Sequence, residues 1–288
     1  MGRGGDGLDK TVLFLNRRDG IDKVIKIARY AAKLVLATSP AEPGNAELLK
    51  SLGAVEATLG TSRKVYRMGK FLQNLRAMRQ VPLRAPYASL ELLANAGECL
   101  YYFLDQFQWC ARRATASGHL SSTALPPPIA AQSHRLTSPR SPAAARRLVR
   151  SGVLPAAAGP RLTQLSASGE LVGYAASITL AVLRLHNLLE REVALIAELQ
   201  RRRSLRAAAG ADPEDDKDAA LVGEIRGLRA RRALRTLGLA QDLADALLAL
   251  ADLRDAKEGV LSHRGLLAAC GLLSGCISAY KNWPGVVK

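Results

Sequence analysis

Aromatic side chains make up only 5% of the 288 residues, and cysteine and histidine occur four times each. Cys99, Cys110, Cys270 and Cys276 include no CxxC pair, and no histidine stands at a spacing that completes a zinc site. They read as free thiols on apolar helix faces in a reducing compartment. A glycine-rich phosphate loop, HExxH and GxSxG are all missing, and His119, His134, His186 and His263 are scattered. No catalytic residue, no metal and no cofactor is therefore assigned, and the chain is not read as an enzyme. The opening MGRGGDGLDK lacks the apolar stretch of a secretory signal, Asp6 stands where a myristoylation motif needs Ser or Thr, and VVK is no targeting tripeptide. Any membrane attachment is expected to use internal segments.

Acids are few as well. Twenty-five Asp and Glu face 41 Lys and Arg, giving a net charge of +16 and a pI near 10.2. That balance favours an anionic partner, either a nucleic acid backbone or an anionic membrane surface. Hydrophobic residues reach 48%, enough for a core or for lipid contact. Outside residues 114 to 161 their spacing is mostly helical, and no strand of useful length emerges. The fold class expected is all-α, a helical membrane-associated bundle with amphipathic helices and a disordered central linker.

The stretch SRKVYRMGKFLQNLRAMR, residues 62 to 79, is strongly basic and strongly apolar at once. Placed on a wheel at about 100° per residue, Val65, Met68, Phe71, Leu72, Leu75 and Met78 share one arc. Arg63, Arg67, Lys70, Gln73 and Asn74 lie opposite, with Arg76 at the boundary and Lys64 and Arg79 in the end turns. Thr61 or Ser62 would cap this helix, and Pro82 and Pro86 would end it. Such a segment suits an interfacial membrane helix, so Arg63, Lys64, Val65, Arg67, Met68, Lys70, Phe71, Leu72, Leu75, Arg76, Met78 and Arg79 are the candidate membrane-binding residues. A second amphipathic helix follows a turn near Asp19 and Gly20. Its apolar arc holds Ile21, Val24, Ile25, Ile27, Ala28, Ala31, Ala32, Leu34, Val35 and Leu36, and its polar arc holds Asp22, Lys23, Lys26, Arg29, Tyr30 and Lys33. Lys23, Ile25, Lys26, Ala28, Arg29 and Lys33 form a secondary membrane or packing set.

Residues 88 to 110 are apolar except for Glu91, Glu98 and Asp105, which recur at seven-residue steps and line one helical stripe. Such a helix packs or spans with that stripe turned toward protein, not lipid. From 114 to 161 the chain is rich in Ser, Pro, Ala and Arg without periodicity, and reads as a disordered linker. Helical patterning resumes near Gly169, breaks at AAAGADPEDDKD, and continues in a basic helix and an apolar run. Gly265 to Tyr280 carries no charge, rises roughly 24 Å as a helix, and contains Gly271 and Gly275, a GxxxG suited to helix association. The domains expected are 1–113 with the amphipathic helices, the linker 114–165, and a helical 166–288 with a candidate span at 265–283. Nucleic-acid binding through the basic helices is the weaker reading, because no helix-turn-helix, zinc or RRM pattern accompanies them.

In order along the chain, LDKTVLFLNRRDGIDKVIKIARYAAKLV, SRKVYRMGKFLQNLRAMR, LANAGECLYYFLDQFQW, EIRGLRARRALRTLGLAQDLADALLALAD and GLLAACGLLSGCISAYKNWPG resemble the peroxin-eleven peroxisomal membrane proteins, especially their plant and algal forms. The resemblance implies a protein of the peroxisomal membrane that elongates the organelle before division. It implies that the helix matching Ser62 to Arg79 inserts into the cytosolic leaflet, that the chain self-associates, and that it works with a tail-anchored fission adaptor and a dynamin-related GTPase. A small-metabolite channel in the same membrane is the alternative, with the Glu91, Glu98, Asp105 stripe facing a pore. Both termini are expected in the cytosol, which requires an even number of spans. The candidates are 88–110 and 265–283, with 171–189 as a competitor weakened by Arg184 and His186. The chain departs from the family mainly at 114–161, where a shorter helical connection is expected.

Overall fold

The structure, a computed structural model, describes residues 7–40, 42–117, 158–209, 216–254 and 259–286. Among these residues it is all-α, with eight helices and no strand. Helix α1 covers Gly7–Leu15, α2 Arg18–Thr38, α3 Ala46–Tyr66, α4 Lys70–Gln80, α5 Ala88–Ser117, α6 Ala158–Ala209, α7 Asp216–Leu253 and α8 Arg264–Asn282. Most of the linker expected at 114–165 lies outside the described residues. Its two edges do not: 114–117 complete α5, and 158–165 already belong to α6.

The first turn sits earlier than DG suggests. Helix α1 ends at Leu15, and α2 starts at Arg18, leaving Gly20 inside the first turn of α2. Gly20 is there for space, since a Cβ would run into the Phe14 carbonyl where α1 folds back. Phe14 is buried against Trp283 with ring centroids 5.3 Å apart, which ties α1 to the end of α8.

Helix α2 packs between α3 and α8, α5 packs on α4 and α6, and α6 runs antiparallel to α7, which in turn meets α8. With 52 residues, α6 extends roughly 78 Å. Small residues let these axes approach. Gly97 of α5 lies against the backbone of Gly169 and Gly173 of α6, and Gly271 and Gly275 of α8 receive Tyr30 and Ile27 of α2. The interior holds many small groups, including Ala32, Ala176, Ala244, Ala249 and Ala268, beside Leu104, Leu180, Leu228 and Ile277 and several ion pairs. Many other large apolar residues are exposed on the outside.

Helix α3 has no counterpart in the sequence reading, which left 46–60 unassigned after the TSPAEPGN loop. Its Ala, Leu, Glu and Lys content favours a helix, but Gly53 and Gly60 interrupt any single apolar arc. Gly60 makes room for the Arg29 guanidinium of α2.

Candidate membrane-contacting surface

The two wheels drawn from the sequence keep their faces but exchange their surroundings. Asp22 and Arg63 are 0% and 5% exposed, whereas Leu72 and Val65 are 56% and 46% exposed. Met68 and Leu75 share the outward face with Leu72, and on α2 it is Val24 and Val35 that point out while Lys26 is buried. A water-soluble bundle would bury the large apolar groups and solvate the charges. On α2 to α4 charged groups bind one another inside, and large apolar groups stand on the outside.

The inner faces meet at Asp22. Arg63 Nε donates to its carboxylate at 3.2 Å, and Lys23, Arg67 and Lys70 approach at 3.5, 3.6 and 3.7 Å. Burial opposes ionisation of Asp22, but Arg67, Arg63, Lys23 and Lys70 together hold its carboxyl well below the ordinary range. Lys70 also meets Asp19 at 3.0 Å. One turn along α2, Lys26 Nζ donates to Asp245 at 2.9 Å and to Ser274 Oγ at 2.7 Å, while Ser274 donates to Asp245 at 2.6 Å. This triad joins α2, α7 and α8. Further along, Arg29 donates to Glu56 of α3 at 2.7 Å, with Lys33 at 3.7 Å.

Arg63, Lys64, Arg67 and Lys70, expected at lipid headgroups, lie with their charged ends against acidic partners of the protein. Lys64 reaches Asp105 at 2.7 Å, and Arg67 lies over the Tyr102 ring besides serving Asp22. Arg76 and Arg79, at the far end of α4, are the basic members of that set left exposed. Phe71 and Met78 are half-buried, Phe71 edge-on to Phe103 at 5.6 Å. In the secondary set, Lys23, Lys26, Arg29 and Lys33 are all engaged as above, with Ile25 half-buried and Ala28 exposed.

A correction concerns continuity. Residues 62–79 are not one helix capped at Thr61 or Ser62: the first part is the end of α3, and the chain bends at Gly69 before α4 begins. Gly69 has φ +78°, a left-handed conformation that costs a side-chain-bearing residue about 1–2 kcal/mol. The bend is held from both sides, since Gly69 N–H donates to Gln106 Oε1 at 3.1 Å and the Met68 carbonyl accepts from Arg18 at 2.6 Å. Replacing Gly69 by Ala is expected to cost about 1 kcal/mol of stability, read by thermal unfolding in detergent. The glycine was the available sequence signal, being the one poor helix former inside an otherwise favourable stretch.

The acid stripe faces protein. Glu91 accepts from Arg184 at 2.5 Å, Glu98 from Asn74 at 3.4 Å, and Asp105 from Lys64 at 2.7 Å. These pairings tie the stripe to neighbouring helices. The opposite side of α5 exposes Leu93, Phe103 and Phe107. Gly271 and Gly275 are buried against α2 of the same chain.

Among the described residues one helix is long and apolar enough to cross a membrane, Arg161–Ala208 within α6, with mean hydropathy 1.3 in its apolar window. It contains 171–189, the segment ranked behind the two others; 88–110 and 265–283 lie in helices that do not reach that level. Arg184 is neutralised there by Glu91, and His186 meets Glu190 at 3.2 Å in an exposed position.

Comparison with known proteins gives the family. A model of the family described as Peroxisomal biogenesis factor 11 (PEX11) matches residues 8–122 and 147–283. Peroxisomal membrane protein 11-3 of Oryza sativa subsp. japonica is 37% identical over 270 residues, covering 94% of this chain and 86% of the relative. Peroxisomal membrane protein 11A of Arabidopsis thaliana is 32% identical over 279 residues, covering 96% and 93%. No solved structure matches the chain. With nearly its whole length aligned and its apolar groups turned outward, this chain belongs to the PEX11 family of peroxisomal biogenesis factors and is a protein of the peroxisomal membrane.

Proposed function

We propose that the chain remodels and elongates the peroxisomal membrane ahead of organelle division, by seating the outer face of α3 and α4 in the cytosolic leaflet and by self-association. The observation that carries this is the outward row of Val65, Met68, Leu72 and Leu75 over an inward row of paired charges. Each large apolar group gains about 1.5–3 kcal/mol on fully leaving water, and half-exposure leaves roughly 3–6 kcal/mol for the four together. An asymmetric insertion about 5–10 Å deep spreads the outer leaflet and bends it. Anionic phospholipid is met by Arg76 and Arg79, each contributing about 1 kcal/mol near such a surface. The apolar outer face of α5 then meets lipid or a second copy of the chain. The fission adaptor and dynamin-related GTPase enter on the strength of the family resemblance, acting on the tubule the chain makes.

Reconstituting the full chain into vesicles with anionic lipid tests the reading by electron microscopy. Wild-type protein is expected to draw tubules, and Leu72→Asp to reduce their number at least fivefold while the fold is retained. Tubules of equal number with Leu72→Asp and Leu75→Asp would sink the insertion mechanism. Two cytosolic termini need a second crossing beside α6, for which the uncharged Gly265–Tyr280 of α8 is our choice. Tags at both ends are then digested by protease added to intact peroxisomes; protection of one tag alone overturns that topology.

A further inference from the structure

A half-open cavity of about 590 Å³ lies between the start of α2, the middle of α6 and α7, and the end of α8. Its volume is that of a small-ligand site. Six cations line it, Lys23, Lys70, Arg184, Arg231, Arg235 and Lys281, against the carboxylates of Asp19 and Asp242. Pairing does not use up this excess. Asp19 serves Lys70 at 3.0 Å, Asp22 lies 3.5 Å from Lys23, and Arg184 is taken by Glu91, which leaves Arg231, Arg235 and Lys281. Asp242 accepts from Ser177 at 2.6 Å, and burial pushes its carboxyl upward, which weakens it as a counter-charge. Arg231 and Arg235 make no salt bridge among the described residues, and the Lys281 ammonium donates to the neutral Gln241 amide at 3.3 Å.

Like charges crowd one another across the space. Burial and then Lys70 push Lys23 down to about 7, and at Arg235, which stays largely open to solvent, partial burial and then Arg184 push the same way while Glu91 opposes them. An occupant carrying two negative charges would relieve both. Guanidinium forks match tetrahedral phosphate oxygens in a bidentate way, and a doubly charged group answers two unpaired arginines where one carboxylate could not. Leu180, Leu234 and Leu239 supply an apolar wall beside the charges.

We propose that this cavity binds a phosphate-bearing anion, with Arg231, Arg235 and Lys281 holding the phosphate. The chemistry is common to a phosphomonoester lipid headgroup and to a free phosphate. It is independent of the remodelling mechanism, because a chain that never tubulates vesicles can still bind phosphate.

The test uses purified full chain in detergent micelles, titrated at constant ionic strength with inorganic phosphate and, separately, with dioctanoyl phosphatidic acid, using dioctanoyl phosphatidylcholine as the blank. Thermal shift and equilibrium dialysis give the affinities. Arg231 and Arg235 are both exposed, so R231Q/R235Q leaves no buried charge behind. Affinity is expected to fall at least tenfold in that variant, at least threefold in K281Q, and less than twofold in R201Q/R226Q, which removes equal charge from exposed sites elsewhere on the α6 and α7 hairpin. Competition between the two probes supports one site for both sources, and binding of phosphatidic acid alone supports the headgroup as occupant. Binding of inorganic phosphate alone supports a soluble occupant. Failure of both probes to bind, unchanged affinity in R231Q/R235Q, or equal loss in R201Q/R226Q overturns the proposal.

Discussion

Asp22→Asn is expected to be among the most damaging single substitutions in the chain, lowering stability by about 3–5 kcal/mol. The side chain is fully buried and stands among Arg63, Arg67, Lys23 and Lys70, all within 3.2–3.7 Å. Removing its charge leaves cations facing one another in a site that water does not reach, which costs more than the loss of any one ion pair. Three helices depend on it, since the partners come from α2, the end of α3 and the start of α4. Thermal unfolding in detergent should show a drop of roughly 6–20 °C, with Asp9→Asn, at an exposed position of α1, unchanged. The pH dependence has a definite sign. The folded carboxyl titrates well below its ordinary 3.8, so its contribution is complete above that value and is lost as pH falls below it toward the folded pKa. Lys23 runs the other way. Burial and Lys70 lower it to about 7, so its ammonium costs stability at and below neutral pH, and the cost shrinks as pH rises from 7 toward 10.5. A Tm in Asp22→Asn within 2 °C of wild type would show that the cluster does not hold these helices.

How much of this was readable beforehand differs between the faces and their surroundings. The wheel over α2 separated Asp22, Lys26 and Arg29 from Val24 and Val35, and the wheel over 62–79 separated Arg63, Arg67 and Lys70 from Val65, Leu72 and Leu75, and both separations persist in the structure. Periodicity reports two faces without saying what each one meets. Deciding that requires the partner of Arg63, which is Asp22, 41 residues away, and the partner of Lys26, which is Asp245, 219 residues away. Charge counting pointed outward because the net charge is +16; yet it is the few acids, each shared among several cations, that draw the basic faces inward. The acid stripe was the more informative signal, since three carboxylates on an apolar helix have nowhere to go but protein. Helix α3 stayed hidden because its glycines blur the arc. The bend at Gly69 stayed hidden because a favourable wheel on either side outweighed one residue.

The glycines provide the other large expected effect. Sequence reading singled out Gly271 and Gly275, yet a close backbone-to-backbone approach of two long helices lies elsewhere, where Gly97 of α5 meets Gly169 and Gly173 of α6, itself a GxxxG pair. A Cβ on Gly97 would stand 2.5 Å from the Gly169 carbonyl oxygen and 2.6 Å from Gly173 Cα. These are backbone atoms that cannot rotate aside, so Gly97→Val must part the two helices and loosen Arg184 from Glu91 nearby. The cost is expected at or above the upper end of the about 1–3 kcal/mol typical of overpacking. Gly271→Ala meets the Tyr30 ring, a side chain that can swing, and should cost less; Gly275→Ala meets Ile27 Cγ1 at 3.1 Å and should cost less again. Gly223 of α7 has nothing within 4 Å of an added Cβ, so Gly223→Ala should stabilise its helix by up to about 1 kcal/mol. Thermal unfolding of the four variants in one detergent gives the order and the change of sign. A Gly97→Val protein as stable as Gly223→Ala would show that α5 and α6 do not cross at these glycines.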